Sequence, residues 1–375
     1  MTVFDVPLSQ LRQRQSMKWT RYPPDVLPLW VAELDAYLSP GVKAALTRAV
    51  EIGDFGYHGA PILEAAWRRY AADTWGLSLA PEQVTGCGDV MSGMAAIVQH
   101  LTPAGSAIAT TTPIYRPFRP AGRVGGRRLV TCAMTPAGRL DLPGLAALFE
   151  RERPAAFLLC NPYNPYGSIA SPAELAELAA LAAAFDVTVV ADEIHALVTD
   201  PAASFTPYLA VPGAETGFAL ASASKGFGLA GLKAGLIIAG SKRTGDLDLL
   251  PYESKTGATS HLGLIAQTAA LDLDRDWLAD LNTEITAHKR QLAKALAPFG
   301  LSYEPSPATY LAWVDCSPLG LTDPAGHFRL HGKVAFNPGT DYDEGAGQWI
   351  RINVATSSVI LAEAVRRLGA ALAAA

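Results

Sequence analysis

Short apolar runs separated by longer amphipathic stretches set the rhythm of this chain after its first fifty residues. Runs at 107–111 (ending at Pro113), 155–160, 187–191, 218–222 and 235–239 are too short for helices and read as strands. Helical patterns cover 60–75 and 90–101. Another helix opens between the second and third runs on Ser171-Pro172, with Ser as N-cap, Pro at the first helical position and Glu174 closing a capping box. Continuously apolar strands that alternate with helices predict an α/β fold, a mostly parallel sheet covered on both faces. After about residue 275 the pattern changes. A long amphipathic helix, 276–297, leads to strands at 310–316 and 349–354 and to a terminal helix from Ser358, which together predict a smaller α+β unit. The first fifty residues, with Pro23, Pro24 and Pro28 around the apolar patch 27–32, read as irregular.

Composition narrows the function classes. The chain has 375 residues, 50% of them hydrophobic, enough for two joined cores, and its net charge of -5 is spread along the sequence. No basic stripe suggests a nucleic-acid partner, and the Arg-rich pieces 12–21 and 122–128 read as solvated surface. Cys87, Cys132, Cys160 and Cys316 form no C-x-x-C pair, so no metal site or disulfide framework is expected, and Cys160 and Cys316, closing apolar runs, read as buried thiols. The N-terminus lacks a signal-peptide pattern, and no apolar run has the length of a membrane span, so a cytoplasmic protein is expected.

Three features fall at the C-terminal ends of expected strands, where open parallel sheets bind ligands. Asn161-Pro162-Tyr163-Asn164-Pro165-Tyr166-Gly167 follows 155–160, Asp192-Glu193-Ile194-His195 follows 187–191, and Ser222-Ala223-Ser224-Lys225 closes 218–222. Singly each is weak, since an Asp after a strand is often only a helix cap. Together they supply what pyridoxal phosphate needs: a lysine to form an imine and carry protons, a carboxylate to keep the pyridine nitrogen protonated, and polar donors beside the ring. Gly226, Gly228 and Gly231, with Asp246 beyond, formally match a dinucleotide fingerprint, but such a fingerprint must open a helix and here the run 235–239 follows almost at once.

In these residues the chain resembles fold-type I aminotransferases, and more narrowly the MalY and PatB branch of cystathionine β-lyases and cysteine C–S lyases. The resemblance runs from about 17 to 368 through Ser16-Met17-Lys18-Trp19, the segment 27–35, Pro113-Ile114-Tyr115-Arg116-Pro117-Phe118, the three strand-end motifs, Leu229-Ala230-Gly231-Leu232-Lys233 and the segment 310–316. It implies a large domain, 48–275, whose mostly parallel seven-stranded sheet lies between helices and binds pyridoxal phosphate. A small α+β domain would span 276–375, with the N-terminal segment 1–47 packing against it.

The resemblance also implies residue roles. Lys225 would carry the Schiff base, Asp192 would pair with the pyridinium nitrogen, Tyr115 would stack on the ring, and Asn164 would hydrogen-bond the ring hydroxyl with His195 nearby. Val90 and Met91 would offer backbone N–H groups to the phosphate, Ser222 and Lys233 would bind it too, and Tyr57 would reach the phosphate of a neighbouring subunit, making an obligate homodimer. Arg351 and the backbone of Ala32 would hold the substrate α-carboxylate. The implied reaction is β-elimination on L-cysteine S-conjugates, giving a thiol, pyruvate and ammonia. The alternative is an aminotransferase acting on an amino acid and a 2-oxo acid, and a binding protein without chemistry is disfavoured because every catalytic position is filled. Three departures bear on the substrate: Gly228 stands where the branch has asparagine, Tyr163 where histidine is frequent, and Thr356-Ser357-Ser358 where an arginine is usual.

Overall fold

The computed structural model describes residues 2–373; residues 1, 374 and 375, which belong to the expected end segments, lie outside the described residues. Among the described residues a seven-stranded sheet is built from β1 (Val84–Cys87), β2 (Ala107–Thr112), β3 (Arg128–Ala133), β4 (Ala156–Cys160), β5 (Thr188–Asp192), β6 (Phe218–Ala221) and β7 (Gly235–Ala239). Its order is β1-β7-β6-β5-β4-β2-β3, parallel throughout except for β7, which runs antiparallel to both of its neighbours. The expected mostly parallel α/β sheet is therefore present.

Its central strands are buried on both faces, as the unbroken apolar runs require. Alternation divides them between two cores: Phe218 and Leu220 of β6 and Ile237 of β7 enter one, while Ala219, Ala221, Leu236 and Ile238 enter the other. The first core is packed by α3 (Val90–Leu101), α4 (Leu142–Glu152) and α5 (Pro172–Phe185), and the second by α2 (Ile62–Trp75), α6 (His261–Leu273) and α7 (Arg275–Leu296), numbered after α1 (Pro40–Ile52). The second core continues without a break into a smaller sheet, β8 (Leu311–Asp315), β9 (Asn337–Pro338) and β10 (Trp349–Asn353), antiparallel in the order β9-β10-β8, covered by α8 (Pro324–His331) and α9 (Ser358–Ala373). The N-terminal segment lies against this unit: Leu27 and Pro28 form a separate two-stranded parallel pair with Val334 and Ala335, and Asn353 N of β10 donates to Leu29 O at 2.9 Å.

The structure corrects the reading of the first fifty residues as irregular. Residues 40–52 form α1, opened by Ser39 and a proline at N1 and ended by left-handed Gly53. The Gly226–Gly231 run is one helical turn, Ser224–Phe227, and a short 3-10 turn before β7, so it opens no nucleotide-binding helix. The capping box at α5 is formed as expected: Ser171 Oγ accepts from Glu174 N at 3.2 Å, and Glu174 Oε2 accepts from Ser171 N at 2.8 Å. Ser171→Ala is expected to cost about 1 kcal/mol, read as a lowered midpoint in urea with the lysine site intact.

Candidate active site

The three strand-end motifs converge on one cleft of about 830 Å³ of empty volume. Asp192 is the last residue of β5, flanked in register by Cys160 of β4 and Leu220 of β6. The chain leaves β6 through Ser222 and turns once, placing Lys225 beside that carboxylate; Gly228, at φ 71°, ends the turn in the left-handed conformation. Ala32, Val90, Met91, Tyr115, Asn164, Asp192, His195, Ser222, Lys225 and Lys233 all line the cleft. Arg351, on β10, reaches it from the small sheet, its Nη1 donating to Asn164 Oδ1 at 3.1 Å and its Nη2 to Trp30 O at 2.9 Å. Tyr57 is not brought in: its side chain is wholly exposed on the surface.

Burial dominates the electrostatics. Asp192 accepts one hydrogen bond, from Ile194 N at 3.0 Å, and desolvation pushes its carboxyl up to about 7 against that bond and the Lys225 charge. Lys225 Nζ donates to Ala32 O at 2.9 Å; desolvation, then the Arg351 charge, push its amine down to about 8, which raises the neutral fraction at pH 7 from negligible to about a tenth. His195 is held neutral, well below its usual range, by burial and by the charges of Lys225 and Arg351. It packs edge-on to Tyr310, and its Nδ1 has no partner among the described residues.

At the other end of the cleft α3 begins. Asp89 caps it through Ser92 N at 2.8 Å and pairs with Lys233 Nζ at 2.7 Å. Burial raises the Asp89 carboxyl, but the bonds from Lys233 and Ser92 outweigh it and hold it below its usual value. Lys233 itself sits at φ 47°, a left-handed conformation uncommon for a lysine. Ser222 Oγ lies within 2.8 Å of Ala234 O and accepts from Ser224 N at 3.1 Å.

Several residues outside the motifs build the site. Gln267 of α6, fully buried, accepts from Ala223 N at 2.8 Å and donates to Ala234 O at 2.7 Å, clamping the two loops that carry Lys225 and Lys233. Asn353 donates to Val31 O and Glu33 O, each at 2.7 Å, and Tyr310 OH donates to Ala32 O at 3.2 Å. A glutamine on the apolar side of a helix, and the asparagine two residues after Arg351, were the available signals. Tyr163, one of the departures, turns away from the cleft: its hydroxyl lies 2.7 Å from Thr111 Oγ1 and donates to Pro113 O at 2.9 Å, tying the Asn164 turn to the loop before Tyr115. At another departure Ser357 Oγ accepts from Ile360 N at 3.2 Å, a helix-start contact for α9.

These groups fit pyridoxal phosphate. A buried carboxylate short of a cation suits a protonated pyridine nitrogen, an orphaned imidazole nitrogen and Asn164 stand along the same wall, and a helix start with a lysine suits a phosphate.

Comparison with known proteins agrees with this geometry. The model of the family described as aminotransferase class I and II matches residues 39–368. A Mycobacterium tuberculosis protein (strain CDC 1551 / Oshkosh), provisionally named a cystathionine beta-lyase, is 41% identical over 98% of this chain and 97% of its own length. The cystathionine beta-lyase of Corynebacterium glutamicum is 32% identical over 97% and 99%. A crystal structure from Corynebacterium diphtheriae, provisionally described as a PLP-dependent beta-cystathionase, superposes with a TM-score of 0.94 at 33% identity, covering 100% of this chain and 99% of that one.

The raised Asp192 carboxyl carries a stability signature in the cofactor-free protein. Folding lifts this group from 3.8 towards 7, so the native state holds a proton that the unfolded chain releases, and stability falls as pH rises through that window. Asp192→Asn is expected to flatten this part of the profile; an unchanged slope of denaturation midpoint against pH would place the titration elsewhere, with the neighbouring buried Glu193 as the next group to test.

Proposed function

The chain belongs to the aminotransferase class I and II family, and from that premise we propose that it catalyses pyridoxal-phosphate-dependent β-elimination on L-cysteine S-conjugates such as cystathionine, giving a thiol, pyruvate and ammonia. The observation that carries the reading is the buried Lys225 amine, its basicity depressed, lining the same cleft as the buried Asp192 carboxyl and in electrostatic contact with it. The cystathionine beta-lyase relatives, similar over nearly the whole chain, support the choice of reaction.

When bound, the cofactor supplies an electron sink that makes the substrate Cα–H acidic and lets the Cβ–S bond break. The protein's part is positional and protonic. Lys225 Nζ takes the Cα proton, and its depressed basicity keeps enough of the amine neutral to do so. Asp192 would hold a proton at the pyridine nitrogen, and that ion pair would supply the stabilisation it lacks alone. Tyr115, Asn164 and neutral His195, which line the cleft, would hold the ring, Tyr115 against its face and the other two at its hydroxyl. The N–H groups of Val90 and Met91 at the start of α3, with Ser222 and Lys233, would take the phosphate. Arg351 and the Ala32 backbone take the substrate carboxylate; the Arg351 guanidinium is already oriented by Asn164 and Trp30, and its Nε has no partner among the described residues.

The same reading takes 48–275 as the large domain, 276–375 as the small one and 1–47 as the segment packed on it, with β10 delivering Arg351 from the small domain to the large domain's cleft. Tyr57 then works across a homodimer. Val50, Ile52, Phe55, Leu249 and Tyr252 are all exposed apolar side chains, a set that a second copy would cover.

With L-cystathionine and pyridoxal phosphate but no keto acid, steady multi-turnover pyruvate is expected, and Lys225→Ala should abolish it. Absence of pyruvate, with amino acids driving the cofactor band to its amine form, would move the assignment to an aminotransferase. For the shared site, mixing Tyr57→Ala with Lys225→Ala protein under subunit exchange should give more activity than the two separately. Mixed activity no greater than their sum would confine Tyr57 to its own chain.

A further inference from the structure

The cleft does not end at Ala32. Ala32, Ser224 and Ala230 also form the wall of a second cavity, of about 900 Å³ of empty volume, bounded by Arg14, Ser16 and Met17, by Glu33 and Leu34, and by Tyr310. Nothing in the reaction as described uses it, yet it contains one charge of each sign. Arg14 is held in place by its Nη1 bond to Leu34 O at 3.0 Å and its Nη2 bond to Ala36 O at 2.6 Å, which leaves three of its five N–H donors for other partners. The backbone carbonyl of Glu33 is fastened by Asn353 at 2.7 Å, but its carboxylate makes no hydrogen bond or ion pair among the described residues. Ser16 Oγ, buried beside them, has no partner either among the described residues.

An anchored guanidinium and an unpaired carboxylate facing one space match the two charges of an amino-acid zwitterion. We propose that this cavity is the subsite for the far end of a two-headed conjugate, with Glu33 accepting from the distal ammonium and Arg14 donating to the distal carboxylate. The proposal rests on the β-elimination reading, which places the first head at Arg351 and Lys225 and sends the thioether past Ala32. It makes conjugates that carry a second α-amino acid on sulfur, cystathionine among them, the preferred class over S-alkyl cysteines. Glu33 also lies within electrostatic reach of Lys225, and that influence is common to every substrate, so it cancels when two substrates are compared on one protein.

The test compares L-cystathionine with S-(3-carboxypropyl)-L-cysteine, which differs from it only in lacking the distal ammonium. In the wild-type holoenzyme kcat/KM should favour cystathionine by roughly tenfold, as for one hydrogen-bonded charge, and in Glu33→Gln the ratio should fall towards one. Arg14→Gln should likewise erase the preference for cystathionine over S-(3-aminopropyl)-L-cysteine, the conjugate without the distal carboxylate. A wild-type ratio near one, or a preference that survives Glu33→Gln, overturns the subsite. If neither conjugate yields pyruvate, it is the β-elimination reading that fails. The subsite is then judged by titration calorimetry of the same pair on Lys225→Ala holoprotein, where equal affinities would overturn it.

Discussion

Everything in this site is arranged around a carboxylate placed where carboxylates are expensive. Asp192 sits at the end of a central strand with β4 on one side and β6 on the other, its carboxylate wholly enclosed and, among the described residues, bonded only to the backbone N–H of Ile194. An isolated buried charge costs several kcal/mol, and a carboxyl so placed keeps its proton unless a cation is brought to it. Lys225 is that cation only in part, because burial depresses its own protonation. Left to themselves the two groups are mutually frustrated: each would need the other charged, and desolvation opposes both. A ligand carrying a ring cation and an electrophile reactive towards amines relieves both at once. The fold therefore holds its binding energy in reserve as an unsatisfied pair, and the parallel sheet provides the rigid frame that stops the pair from relaxing into solvent.

The second arm of the site depends on satisfying carbonyls in an N-terminal segment that has no ladder of its own at that point. Val31, Ala32 and Glu33 turn their carbonyl oxygens inward, and each finds a side-chain donor: Asn353 for the first and third, Lys225 and Tyr310 for the second. Two residues further on, Asp35 pairs with Lys18 at 2.7 Å, both fully buried, which locks the segment from its other side. Residues from β10, from the turn after β6 and from the start of β8 thus meet on three consecutive carbonyls. Arg351 and Asn353 stand two residues apart on one strand, so the small sheet holds the segment 30–33 at Trp30, Val31 and Glu33 from a single edge.

The strands buried on both faces were legible in the sequence, because an unbroken apolar run too short for a helix finds a home only inside a covered sheet. The motifs at their ends were legible only as a set, since three polar clusters closing successive strands of one sheet meet at one edge where ligands bind. Less visible was β3, an edge strand whose burial is only partial and whose sequence, Arg-Leu-Val-Thr-Cys-Ala, looks like a loop. So were α1 and α6, where alanine and glycine blur the helical period, although Ser39-Pro40 and Ser260 carried the cap signals. Gln267 offered only the faint signal of an amide in a largely apolar helix, and Glu33 offered none. What makes them matter is which loops they meet, and that is decided by the packing of α6 and by the path of the first thirty-five residues.

The departure at Gly228 follows from the backbone. The turn that presents Lys225 must end in a left-handed residue, and φ there is 71°. Asparagine and glycine are the two residue types that adopt this conformation with least strain, so exchanging one for the other preserves the turn. A Cβ at this position would meet only Leu34, at 3.6 Å, an ordinary contact, so no steric demand for glycine adds to the conformational one. What the exchange removes is a side chain on the wall of the second cavity, which Gly228 lines along with Glu33 and Arg14. The exchange therefore bears on the lining of that cavity and keeps the left-handed turn that follows Lys225.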